Sequence, residues 1–159
     1  MRLMTAVAIL ALLVTPAAAD PGWYAEDGPL GTYATNNEDI ALEVWCGMPD
    51  LPALEVDYTD YDSDDARLPP DITTATLVIA AGKNKPRHFA ASFESDGQTF
   101  VVSGADAAAV VKLALRGEGL SAHVIVKGRT YIRGRFDNTG MDQAAAALTA
   151  CLDQPETSK

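Results

Sequence analysis

The sequence predicts an α+β protein: a mainly antiparallel β-sheet or sandwich of about seven or eight strands, with two α-helices at about 104–116 and 140–153. Three observations lead there. Short stretches of period-two alternation recur between turn-forming clusters, two later stretches switch to helical spacing, and one cysteine stands on each kind of element.

The first 19 positions stand apart from that pattern. Met1-Arg2 is followed by an uncharged apolar run from Leu3 to Val14, then Thr15-Pro16-Ala17-Ala18-Ala19 before Asp20. A basic start, a short apolar middle and an A-x-A site read as a cleavable secretory signal over 1–19. The run is too short to span a bilayer, which takes about 20 apolar residues, and Asp20 occupies the place where a lipoprotein needs cysteine. The expected product is a single β-rich domain over 20–159, soluble, periplasmic or secreted, without a membrane anchor after cleavage.

Export gives the two cysteines their meaning. Cys46 and Cys151 are an even pair in a chain destined for an oxidising compartment, with no histidine or second cysteine at metal-ligand spacing, so a disulfide is expected between them.

The element-by-element reading begins with Thr32 to Thr35 and Ile40 to Cys46, two extended runs flanking Asn36-Asn37-Glu38-Asp39 as a β-hairpin. Ile40, Leu42, Val44 and Cys46 share one face, which puts the cysteine on the core side. Leu54 to Tyr58 continues the alternation. Ala75 to Ala81, almost wholly apolar, reads as a central strand covered on both sides. Arg87 to Phe93 and Thr99 to Val102 follow as a meander around Ser95-Asp96-Gly97. Ser103-Gly104-Ala105-Asp106 fits a capping pattern ahead of AAAVVKLALR, a helix ended by Gly117. Ala122 to Val126 and Thr130 to Phe136 form another hairpin, with Ile132 and Phe136 inward and Tyr131, Arg133 and Arg135 on the opposite side. Thr139-Gly140-Met141-Asp142 is a second capping pattern. Met141, Ala144, Ala145, Leu148, Cys151 and Leu152 then recur at helical spacing, and Gln154 to Lys159 should form a short disordered tail.

Charge is distributed unevenly. Positions 20–72 hold 14 Asp and Glu against the single Arg67, while 73–159 hold eight acids against ten bases, within an overall formal charge of −10. A nucleic-acid partner is disfavoured, because phosphate binding needs a net basic footprint.

Four features carry chemistry. In the acidic loop 57–71, Asp60, Asp62 and Asp64 stand at alternate positions and Asp71 at the twelfth, the spacing of a calcium loop. However, Asp65 stands where such a loop needs glycine, and Pro69-Pro70 interrupt it, so a solvated acidic loop is the plainer reading. Lys83, Lys85, Arg87, Arg129, Tyr131, Arg133 and Arg135, with Lys127, come from turns and strands that can neighbour one another as a patch for an anionic partner. The alternative is that they face the protein's own acids. His88 and His123, the only histidines, fall on faces opposite the apolar alternation and lack a nucleophile motif. Trp23, Tyr24 and Trp45 suit a core or cap better than a recognition surface.

The last strands and helix, with Phe136, Gly140, Met141 and Ala144 in an F-x-x-x-G-M-x-x-A arrangement followed by Cys151, resemble the ends of small exported bacterial proteins such as the invasion-associated locus B family. The resemblance implies a β-rich periplasmic module without established catalysis. The expected function is therefore a non-catalytic periplasmic binding or interaction module, an envelope accessory or inhibitor-like protein, acting on a protein or envelope component. No cofactor is expected. The alternatives are a calcium-dependent module using the acidic loop, and a hydrolase whose site lies around His88 or His123.

Overall fold

Antiparallel pairing of neighbouring runs builds most of the sheet. The computed structural model describes residues 22–25, 32–37, 40–46, 54–60, 72, 74–93 and 99–153. In chain order the strands are β1 (Gly22–Ala25), β2 (Thr32–Asn37), β3 (Ile40–Trp45), β4 (Glu55–Asp60), β5 (Thr74–Ala81), β6 (Arg87–Phe93), β7 (Thr99–Ser103), β8 (Leu120–Val126) and β9 (Arg129–Phe136). Helices α1 (Gly104–Ala114) and α2 (Met141–Leu152) complete the α+β fold that the patterning predicts. Positions 1–19, the acidic stretch 61–71 and the C-terminal stretch 154–159 lie outside the described residues.

The sheet order is β1-β2-β3-β4-β7-β6-β5-β8-β9, with every pairing antiparallel. The hairpins β2–β3 and β8–β9 and the meander β5–β6–β7 are those read from the alternation. The long-range pairs β4–β7 and β5–β8 join these local units into one sheet. β5 lies inside the sheet between β6 and β8, third from the β9 edge, and its second half from Leu77 to Ala81 is fully buried.

This sheet curls until its inner face nearly closes on itself. The Tyr58 hydroxyl on β4 donates to the Ala122 carbonyl on β8 at 3.4 Å, and the Tyr58 ring meets Phe136 of β9 edge-on at 6.2 Å. Phe100 of β7 likewise reaches Tyr131 of β9, with centroids 6.5 Å apart. Right-handed twist accumulated over many strands produces such curling.

The inner face and both helices form one hydrophobic cluster. Leu42, Val56, Tyr58, Leu77, Ile79, Phe100 and Val124 are fully enclosed, with Val110 and Val111 from α1 and Leu148 from α2 packed against them. α1 lies against β4, β5 and β7, and α2 against β1 and β2. No helix among the described residues is long and apolar enough to cross a membrane.

Cys46, just past β3, is bonded to Cys151 on α2, with Cα atoms 5.6 Å apart and a sequence separation of 105. In the loop-entropy account, closing a span of that size contributes about 4.7 kcal/mol by restricting the unfolded chain. Of the stripe the spacing predicts on α2, Met141, Ala144, Leu148 and Cys151 are buried, and Ala145 and Leu152 are partly buried beside them.

Both helix starts differ in detail from the capping patterns. Ser103 is the N-cap of α1, but its side chain makes no capping bond; the Gly104 N–H is tied instead to the Leu54 carbonyl at 2.8 Å. At α2 the N-cap is Gly140 rather than Thr139. Its left-handed backbone, φ 75°, lets the chain pass against Trp23, where any Cβ would run into the Trp23 carbonyl oxygen. Trp23 is held at that junction by two bonds. Its N–H donates to the Thr139 carbonyl at 2.7 Å and its indole Nε1 to the Asp137 carbonyl at 3.1 Å. Trp23 is thus a buried clamp between the first strand and the β9–α2 connection.

Candidate functional site

The chemistry on the outer face of the sheet is set by register. Side chains alternate across a strand, so the residues between the inward apolar positions point away from the core. In β6, β5, β8 and β9 this puts His88 opposite Val78, Val78 opposite His123, and His123 opposite Arg133. The four residues form one row straight across four strands. Arg135 follows two positions along β9, opposite Ser121, about 7 Å from Arg133 at the usual strand rise.

An open groove of about 560 Å³ lies here, lined among the described residues by Ala122, His123, Arg133, Gly134 and Arg135. The arginines are exposed and His123 is half-buried. Among the described residues no ion pair engages Arg133 or Arg135. Burial, first, and then the Arg133 guanidinium and the His88 ring hold the His123 imidazole below its ordinary value of 6.5. At neutral pH the groove therefore offers two guanidinium forks and a neutral ring. Chemically, that is a donor set for an anion.

The basic residues picked out in the sequence fall in several places. Arg133 and Arg135 come together with His123. Lys83 and Lys85 lie in the β5–β6 turn, whose Gly82 N–H is bonded to the Gly119 carbonyl at 3.0 Å, and whose Asn84 donates to the Glu118 carboxylate at 2.6 Å. Arg87 belongs to the other face: it pairs with the inward Ile79, and its guanidinium lies over the Phe89 ring, 5.1 Å from the centroid. Arg129 begins β9, six positions and roughly 20 Å of strand from Arg135. Of the basic residues picked out, Arg133 and Arg135 are the ones that line the groove with His123.

Tyr131 also departs from the expected alternation. The pairing steps from Val124–Ile132 to Ile125–Thr130, leaving Tyr131 as the extra residue of a β-bulge. A bulge re-aims its side chain, and here the ring, still 37% exposed, meets the buried Phe100 edge-on.

For the acidic loop, Asp62, Asp64 and Asp71 lie outside the described residues, and Asp60 ends β4. Among the described residues no group of three or more acidic, histidine or cysteine side chains is gathered as for a metal ion. The row joining His88 to His123 was missing from the sequence reading, although both histidines were placed off the apolar faces. What it required was the β6-β5-β8 order, which alternation alone does not encode.

Fold and site together define a class: a disulfide-linked α+β protein whose nearly closed antiparallel sheet carries a cationic groove on its outer face. Comparison of the chain with protein families, with curated proteins and with solved structures finds no match.

Proposed function

We propose that this protein is an exported, non-catalytic binding module that takes an anionic partner or ligand in the groove of β8 and β9. The observation that carries the reading is the convergence of His123, Arg133 and Arg135 on one open groove in a chain whose overall charge is −10. An acidic protein repels anions at long range, so a local cationic groove gives it selectivity for a ligand that fits those donors.

The extracytoplasmic setting is supported by the leader-like 1–19 segment and by the disulfide, a bond that persists in oxidising compartments. The resemblance of the last strands and helix to small exported bacterial proteins points the same way. A binding role is favoured over hydrolysis because the charges acting on His123 are both cationic, whereas a general base is ordinarily oriented by a carboxylate.

The test is capture from a periplasmic or culture-supernatant extract on immobilised protein comprising residues 20–159. The expected result is an acidic component that elutes with salt and is lost when Arg133 and Arg135 are both changed to Glu. Capture that survives the double charge reversal would overturn the assignment of this groove.

A further inference from the structure

We propose that the groove is a proton-linked oxyanion site: it takes a dianionic sulfate- or phosphate-like group and holds it more tightly as pH falls through the imidazole range. The inference rests on the reading of the groove as anion-binding and adds the ligand class and its regulation.

Geometry supplies the first part. Two arginine side chains leave the same side of β9 at alternate positions, their Cα atoms about 7 Å apart at the usual strand rise, and His123 stands directly across from one of them. A guanidinium presents its N–H donors as a planar fork that matches tetrahedral oxyanions with two bonds at once. Two such forks and an imidazole N–H suit a group with three or more accepting oxygens better than a monocarboxylate. The groove, about 560 Å³ and open to solvent, exceeds the volume of that group alone, so the remainder of a monoester has space beside it.

The row supplies the second part. His123 is flanked by Ser121 and Ile125 on its own strand, by Val78 on β5, and by Arg133 and Arg135 on β9. His88 lies beyond Val78, about 10 Å from His123 at the usual strand spacing. Neither lysine of the β5–β6 turn, Lys83 or Lys85, is among the groups acting on the ring. Among the described residues the charged groups that act on the His123 ring, Arg133 and His88, both disfavour its protonation. A dianion seated between the ring and the guanidiniums reverses the sign of that field and favours the imidazolium. By linkage, binding must then take up a proton, and the affinity must rise as protons become available. One added charge about 5 Å from a dianion, at an effective dielectric between that of a protein surface and water, changes affinity by about tenfold or more.

Isothermal titration with sodium sulfate tests this, because sulfate stays dianionic from pH 7.5 to 5.5 and all titration then belongs to the protein. At low, matched ionic strength the expected result is binding about tenfold tighter at pH 5.5. The heat at pH 6.5 should differ between buffers of unequal ionisation enthalpy, reporting proton uptake on the unmodified protein. His123→Gln should abolish the difference between the two pH values, and sodium acetate should bind more weakly than sulfate throughout. Sulfate binding that is equal at both pH values, without buffer-dependent heat, overturns the proton linkage and leaves the anion-binding reading standing. Acetate binding as tight as sulfate overturns the dianion class. Absence of sulfate binding at either pH overturns both.

Discussion

The Tyr58 hydroxyl occupies the space that a side chain on Gly134 would need: a Cβ there would lie 2.8 Å from it, with Phe136 and Ile40 also within 3.3 Å. Gly134 is the position of β9 where the far side of the curled sheet comes across the core, and the hydroxyl that fills it also donates to the Ala122 carbonyl. Gly134→Ala is expected to destabilise the protein by about 1–3 kcal/mol through overpacking. Tyr58→Phe should cost about 1 kcal/mol for the lost buried hydrogen bond. Urea denaturation of each variant checks both values. Combining Tyr58→Phe with Gly134→Ala should give less than the sum, because removing the hydroxyl makes room for the methyl group.

Gly140→Ala is expected to be worse than Gly134→Ala. The position needs a left-handed backbone, and the new Cβ would meet Trp23 backbone, which cannot rotate away as a side-chain tip can. A loss of about 2 kcal/mol or more follows from left-handed strain alone. Because Trp23 is clamped at this junction, its fluorescence should report loosening of β1 before the global transition. An unchanged midpoint and unchanged fluorescence would contradict that role.

Removing the disulfide should lower stability by up to about 4.7 kcal/mol, since Cys46–Cys151 restricts most of the described chain in the unfolded state. Cys46→Ala/Cys151→Ala and the reduced parent protein should melt at similar temperatures, both below the oxidised form. A reducing agent that leaves the melting temperature unchanged would contradict the bridge.

Acid should weaken the fold in part through His123. Its imidazole is held below 6.5 in the folded protein, by burial first and then by Arg133 and His88. Above about pH 6.5 both folded and unfolded states carry the neutral ring, and it contributes nothing to pH dependence. Below that the unfolded chain binds the proton first, so stability falls with pH until the folded ring is protonated as well. His123→Gln should flatten the stability profile over that window in the absence of multivalent anions. Sulfate should restore part of the lost stability in the parent protein and less in the variant. A variant profile as steep as the parent's would contradict the assignment.

Local features of the fold were legible because local chemistry fixes them. The pairings β2–β3 and β8–β9 follow from turn residues between alternating runs, although β2 extends to Asn37, two residues into the expected turn, and the stripe from Met141 to Cys151 follows from helical spacing. The cysteine pairing followed from the count and from which face each cysteine occupied. Sheet order was not legible, because β4–β7 and β5–β8 depend on complementarity between distant runs that are all apolar on one side. The candidate site was legible only as a set of residue types. Arg133 and Arg135 share a face by simple alternation, but Arg87 sits on the inner parity of its strand, in step with Phe89, and the Tyr131 bulge breaks the alternation just where the sequence reading relied on it.

The central claim is that the outer face of β8 and β9 binds anions. Its most direct test is an amide chemical-shift map of the ¹⁵N-labelled protein titrated with sulfate at pH 6. Saturable shifts are expected, confined to the stretches around Ser121–His123 and Arg133–Arg135, with a smaller response at His88. Shifts centred on the Lys83–Lys85 turn or on Arg129, or none that saturate, would contradict it.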